Sequence, residues 1–143
     1  ALWAIRPDRL CHAVNVILKQ LDEGVTVLCD RFYLSSLAYS GGMVAPEWVY
    51  ALNEPAMRAV RPDLTIFLDL STEESFRRVS RRGETERYET LERQRLIRER
   101  YLKLFEEFGE SDHIAVIESD EDKDVTQANI RAAALKLFEG GNA

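Results

Sequence analysis

The chain has 143 residues, of which 45% are hydrophobic, and a formal net charge of −6 at pH 7. This length suits a single globular domain, and the negative charge argues against bulk nucleic-acid binding. The sequence has no apolar run long enough to span a bilayer and no signal peptide, so no membrane attachment is expected. Cys11 and Cys29 lack the spacing of metal ligands and are predicted to be reduced core residues of a cytoplasmic protein.

The first predicted element is a helix that covers most of Ala1 to Glu23. Its apolar residues recur at helical spacing and form one stripe, made of Leu10, Val14, Ile17, Leu18 and Leu21. Gly24 is a natural helix end. Arg9 lies off the stripe, so its side chain is free to face a cleft; the alternative interpretation is a solvated surface arginine.

An unbroken apolar and β-branched run, from Val25 to Cys29, follows this helix. Such a run predicts a strand that is buried on both faces, as in a parallel sheet. Charge appears abruptly at Asp30 and Arg31, where the strand should end, and ligands of open α/β sheets bind at the carboxyl ends of strands. Since arginine offers a planar fork to phosphate oxygens, the pair indicates a site for an anionic substrate. The alternative interpretation is a salt-bridged strand end.

The remaining chain alternates between predicted helices and strands. Helices are predicted over 34–40, 47–60, 91–108 and 125–139, with another beginning at Ser71 or Thr72; strands are predicted over 64–70 and 113–117. The inward stripe of the 47–60 helix, which is predicted to be core or a dimer face, is Trp48, Leu52, Ala56 and Val60. That of the last helix is Ile130, Ala134, Leu137 and Phe138. We therefore predict an α/β fold with a parallel sheet flanked by helices, of which three strands are visible.

Four stretches, in this order, resemble the thymidylate kinase family. They are Asp8-Arg9-Leu10-Cys11-His12, the segment from Asp30-Arg31 to Tyr39, the Pro-Asp-Leu strand that begins at Pro62, and Arg81-Arg82-Gly83 with Glu86-Arg87-Tyr88-Glu89. The resemblance runs from about Leu2 to Phe108. It implies a P-loop NTPase-like nucleotide kinase, a homodimer that moves the γ-phosphoryl group of ATP onto dTMP with Mg²⁺.

The resemblance also implies roles at the acceptor side. Asp30 would support the metal or the acceptor phosphate, and Arg31 would clamp that phosphate. Arg9 and Ser36 would contact the base, and Tyr39 would pack against the sugar and disfavour a 2′-hydroxyl.

A lid is implied over about 77–90, where arginines would serve the transferring phosphoryl group and ATP. Its candidate residues are Arg81, Arg82 and Arg87. Arg81 and Arg82 are expected to be catalytic, as are Asp30 and Arg31. Arginines that a lid delivers neutralise developing charge and exclude water.

A kinase of this superfamily needs a P-loop, G-x-x-x-x-G-K-[ST]. None of the seven glycines here is followed by lysine, so we expect the 143 residues alone to be inactive and the first βα units of the sheet to lie outside them. Two alternatives stay open. Another nucleotide or deoxynucleoside kinase is favoured by Ile5, which stands where the family places a base-stacking aromatic residue. A non-catalytic kinase-like protein is favoured by the missing P-loop.

Overall fold

A computed structural model of the protein describes residues 8–40, 44–81, 91–109, 113–119 and 122–140. Its elements are α1 (Asp8–His12), a π-helical segment (Ala13–Ile17), α2 (Leu18–Asp22), α3 (Tyr33–Ser40), α4 (Pro46–Ala59), β1 (Thr65–Asp69), α5 (Thr72–Arg81), α6 (Leu91–Phe108), β2 (Ile114–Glu118) and α7 (Lys123–Gly140). Helices alternate with strands along the chain, and the two strands pair in parallel, so the α/β class is confirmed. None of the described helices is long and apolar enough to cross a membrane.

The residues group into two compact units. The first is Ala1–Arg61 with Arg100–Leu104, and the second is Pro62–Glu99 with Phe105–Ala143. Helix α6 therefore contributes residues to both units, which are described separately below.

In the first unit, the π-helical segment shifts the inward face of the first helical run. Ala13 and Ile17 are buried in a cluster with Ala56 and Val60. The predicted stripe is wrong at three positions, because these are exposed: Leu10, Val14 and Leu21. A π turn is closed by i→i+5 bonds and holds an extra residue, so a stripe counted at the α-helical period loses its register.

The segment 25–29 is not a strand in the described part of the chain, so that prediction is wrong there. Leu28 is 97% exposed, and only Val27 packs against the core cluster. The physical reason is that a strand needs a hydrogen-bonded neighbour, and the described residues place none beside this segment. Cys11 and Cys29 form no disulfide in the described part of the chain and are both exposed, so their prediction as core residues is also wrong.

Helix α4 begins at Pro46, one residue before its predicted start, but its inward face is turned from the predicted one. Trp48 is 68% exposed and Leu52 is half exposed, whereas Val49 and Asn53 are buried. The sequence pattern did not count Asn53 as a core residue. Its amide Nδ2 donates to the Val49 carbonyl oxygen at 2.7 Å, and this bond satisfies the buried polar group.

In the second unit, β1 and β2 pair in parallel, with Thr65 opposite Ile114 and Asp69 opposite Glu118. Both strands agree with their predictions to within one residue at each end. Helix α6 also has its predicted bounds. It packs on this sheet, where the ring of Phe105 meets that of Phe67 edge-on at 4.8 Å.

The helices beside this sheet begin with side-chain caps. Ser71 Oγ accepts the Glu74 N–H of α5 at 3.3 Å, which confirms a predicted cap. Asp122 Oδ1 accepts the Asp124 N–H of α7 at 2.9 Å. The inward face predicted for α7 is wrong at Leu137 and Phe138, which are exposed because no described element covers the last turn of the helix.

A bidentate ion pair joins α6 to the end of β1. Arg98 Nε and Nη2 each donate to Asp69 at 2.6 Å, and the Asp69 side chain is only 14% exposed. We expect Arg98→Met to lower the free energy of unfolding by about 1–3 kcal/mol, because it leaves a covered carboxylate without its donors.

Urea unfolding at pH 7 measures this loss, and Arg95→Met is the matched control. Arg95 pairs with Glu73 at 2.6 Å, but both side chains are more than half exposed, so the control should lose at most ~1 kcal/mol. Equal losses in the two variants would contradict the assignment.

Candidate active site

The first candidate residues lie in the turn that leads into α3. Arg31 has φ of +63°, a left-handed conformation that costs an arginine ~1–2 kcal/mol. Asp30 and Arg31 are both exposed. In the described residues they form no ion pair with each other or with another side chain. The salt-bridged strand end, which was the alternative interpretation, is therefore not seen in this part of the chain.

The Arg31 guanidinium lies over the ring of Tyr39, with Cζ 5.2 Å from the ring centroid. A cation over an aromatic face is attracted by the ring quadrupole. Tyr39 lies on α3, six residues and about one and two-thirds turns beyond the start of the helix. The arginine is thus supported from one side while its donors stay available to an anion.

A second aromatic ring supports Tyr39 in turn. The rings of Tyr39 and Tyr101 meet edge to face, at 6.4 Å and 81°. Tyr101 donates its hydroxyl hydrogen to Ser35 Oγ at 2.8 Å. Burial raises the pKa of Tyr101, an effect that the bond to Ser35 partly offsets, so the phenol remains a donor at neutral pH.

Ser36 lies on the buried side of α3. Its side chain is 3% exposed, and its Oγ has no hydrogen-bond partner in the described ranges; the same holds for Ser40 one turn later. A buried hydroxyl without a partner is costly, so these are two polar atoms with unused bonding capacity beside Tyr39.

The structure therefore brings together two of the predicted site residues, Arg31 and Tyr39. Asp30 directly precedes Arg31 in the chain, and Ser36 lies one turn before Tyr39 on α3. Arg9 lies in α1 and Arg81 ends α5, but their side chains fall outside the described part of the chain. Arg82, Arg87 and most of the predicted lid also fall outside it.

The arginines at the start of the predicted lid region are held in ion pairs within the second unit. Arg77 and Arg78 both bind Glu74, and these bonds, that of Arg77 first, lower the pKa of Glu74 to about 2. Because this pKa lies below its ordinary value of 4.5, the pairs stabilise the fold above that pH and are lost as the pH falls towards 2. Arg78 also donates to the Ser119 carbonyl oxygen at 3.1 Å. These two arginines are structural here.

Two residues of this site were missed by reasoning from sequence. Neither Tyr101 nor Arg100 was predicted to be a site residue. Arg100 Nη1 donates to the Ala38 carbonyl oxygen at 3.3 Å. Both contacts join residues more than 60 positions apart, and no local pattern in the sequence signals such a pairing.

The described residues contain no group of three His, Cys, Asp or Glu side chains that could hold a metal ion. Mg²⁺ is usually held by one or two carboxylates together with substrate phosphates, and the exposed Asp30 carboxylate suits that arrangement.

Comparisons with known proteins identify relatives of this chain. The sequence model of the family described as Thymidylate kinase matches residues 4–130. A probable thymidylate kinase of Pyrococcus horikoshii is 43% identical over 117 residues, which cover 80% of this chain and 56% of that protein.

Bacterial relatives match as well. A thymidylate kinase of Clostridium novyi is 37% identical over 107 residues, which cover 71% of this chain and 52% of the relative. A thymidylate kinase of Limosilactobacillus fermentum is 34% identical over 133 residues, which cover 88% of this chain and 61% of the relative. The chain thus spans between about half and three fifths of the length of these relatives.

Proposed function

The chain belongs to the thymidylate kinase family, and on this premise we propose that the complete protein transfers the γ-phosphoryl group of ATP to dTMP, giving dTDP for nucleotide biosynthesis. The observation that carries the proposal is the Arg31 guanidinium, which stacks on Tyr39 and has no carboxylate partner in the described residues. A guanidinium without a carboxylate partner suits a phosphate monoester better than a neutral ligand.

On the acceptor side, Arg31 binds the dTMP phosphate through two parallel N–H donors and holds its attacking oxygen in place. Tyr39 packs against the deoxyribose and leaves no room for a 2′-hydroxyl. Ser36 supplies a hydroxyl to the base, which its lack of a partner supports, and Arg9 completes the base contacts. Asp30 orients the phosphate or a water molecule of the metal shell.

On the donor side, phosphoryl transfer requires positioning and charge neutralisation rather than covalent chemistry. Mg²⁺ bound to the ATP phosphates supplies part of that charge. Arg81, Arg82 and Arg87 supply the rest from the lid in this proposal. The P-loop motif is absent from the 143 residues, so the cradle for the ATP phosphates comes from sequence outside them, and the chain alone does not turn over.

Two further properties belong to the proposal. The complete protein is a homodimer, which the exposed Trp48 and Leu52 of α4 support. It acts on the nucleotide pool of the cytoplasm, without a nucleic-acid or membrane partner.

The test is an assay of the complete protein with γ-labelled ATP, Mg²⁺ and dTMP. The expected product is labelled dTDP, identified by chromatography. Absence of the product would favour the non-catalytic alternative. Phosphorylation of another nucleotide or of a deoxynucleoside, but not of dTMP, would favour the other kinase alternative that Ile5 suggests.

A further inference from the structure

Arg31 occupies a backbone conformation that arginine seldom adopts, and its side chain is exposed. An exposed arginine on a left-handed residue has many rotamers available, and a bidentate phosphate contact needs one of them. Something in the fold must therefore restrict the side chain. In the described part of the chain, the contact that does so is the ring of Tyr39.

Tyr39 is itself held by two consecutive residues of α6. The Tyr101 ring meets the Tyr39 ring edge to face, and the Tyr101 hydroxyl donates a hydrogen bond to Ser35, four residues before Tyr39 on α3. Arg100 donates a hydrogen bond to the carbonyl oxygen of Ala38, the residue immediately before Tyr39. The edge contact restricts the tilt of the Tyr39 ring, and the two hydrogen bonds fix the helix that carries it.

We infer that Tyr101 is a positioning residue for Arg31: through the ring of Tyr39 it sets the pose in which the guanidinium meets the acceptor phosphate. The inference rests on the proposed function, since it specifies how that phosphate clamp is held. Tyr101 does not contact the substrate in this arrangement, so its removal should act only while Arg31 is present.

The experiment is a double-mutant cycle on the complete protein, with the dissociation constant of dTMP measured by calorimetry. Tyr101→Met keeps apolar bulk but removes the ring, and should weaken dTMP binding about tenfold in the wild-type background and less than threefold in the Arg31→Ala background. Tyr101→Phe keeps the ring and should stay within about threefold of wild type. The same loss in both backgrounds, or an equal loss in the Phe and Met variants, would overturn the inference.

A measurement without ligand separates this inference from the proposed function. In an NMR spectrum the Tyr39 ring should shift the Arg31 δ-protons upfield. The shift should diminish in Tyr101→Met, which removes the ring, and should persist in Tyr101→Phe and Ser35→Ala, which each remove one partner of the hydroxyl bond and keep the ring. An unchanged shift in the Met variant would overturn the inference even if dTMP binds. Failure of the wild-type protein to bind dTMP would instead contradict the proposed function, while the NMR shifts still decide the role of Tyr101.

Discussion

Arg31→Ala in the complete protein is expected to lower kcat/KM for dTMP by about 30- to 1,000-fold, equivalent to about 2–4 kcal/mol. The physical reason is the loss of a bidentate donor to a phosphate whose oxygen attacks ATP. Arg31→Lys should recover only part of the loss, because an ammonium group keeps the charge but not the fork. Steady-state kinetics with saturating ATP and varied dTMP measures the effect.

The matched control is Arg58→Ala. Arg58 lies on α4, and its side chain is 78% exposed in an i,i+4 pair with Glu54. Its loss should leave kcat/KM within about twofold of the wild-type value, since exposed ion pairs contribute little to the stability of the fold. If the Arg31 variant also stayed within threefold, Arg31 would be a structural residue and the phosphate clamp would be refuted.

The strained backbone at Arg31 sharpens this test. Glycine adopts φ of +63° without a steric penalty. Arg31→Gly should therefore abolish the clamp as alanine does, while the free energy of unfolding stays level or rises by up to ~1 kcal/mol. A residue that costs stability yet supports catalysis is what a functional site predicts.

Trp48→Glu is expected to convert the complete protein from a dimer to a monomer without unfolding it. Trp48 is 68% exposed on α4, and Leu52, one turn later, is half exposed. A glutamate at position 48 would therefore be exposed to solvent in the monomer and would not disturb its core. At the centre of an interface, loss of a tryptophan costs about 2–4 kcal/mol, and the added charge raises that cost. Sedimentation equilibrium at micromolar concentration reports the change in mass.

Glu47→Lys provides the control for the dimer test. It changes the charge by two units at the neighbouring residue in the first turn of the same helix and removes no apolar surface. We expect it to sediment as the wild type does. A wild-type protein that sediments as a monomer would refute the dimer, and so would a Trp48→Glu variant that remains dimeric.

The elements predicted most accurately from the sequence are those that depend on nearby residues. Ser71 caps α5, Pro46 begins α4, and β1 follows Pro62. Each of these features depends on neighbours within four residues, as do the bounds of α6. The start of α3 just after Asp30 and Arg31 was also predicted to within one residue, although the strand predicted before this pair is not formed in the described residues.

The sequence did not predict features that depend on distant residues. The apolar run before Asp30 could not reveal whether a neighbouring strand covers it, and Leu28 is exposed. The π-helical segment moved the buried face to Ala13 and Ile17 through backbone geometry that apolar periodicity does not encode. Tyr101 joined the site across 66 residues, a contact that only the folded chain makes.

A substrate panel tests whether the site around Arg31 and Tyr39 selects dTMP as phosphoryl acceptor. The complete protein is assayed with ATP and Mg²⁺ against dTMP, its ribonucleotide counterpart, dUMP, dCMP, dGMP and thymidine, and kcat/KM is compared across the panel. We expect the highest kcat/KM for dTMP and a lower value for the ribonucleotide, which Tyr39 disfavours. We also expect no turnover of thymidine, which offers Arg31 no phosphate. Turnover of thymidine, or a higher kcat/KM for another nucleotide than for dTMP, would refute the selection of dTMP by this site.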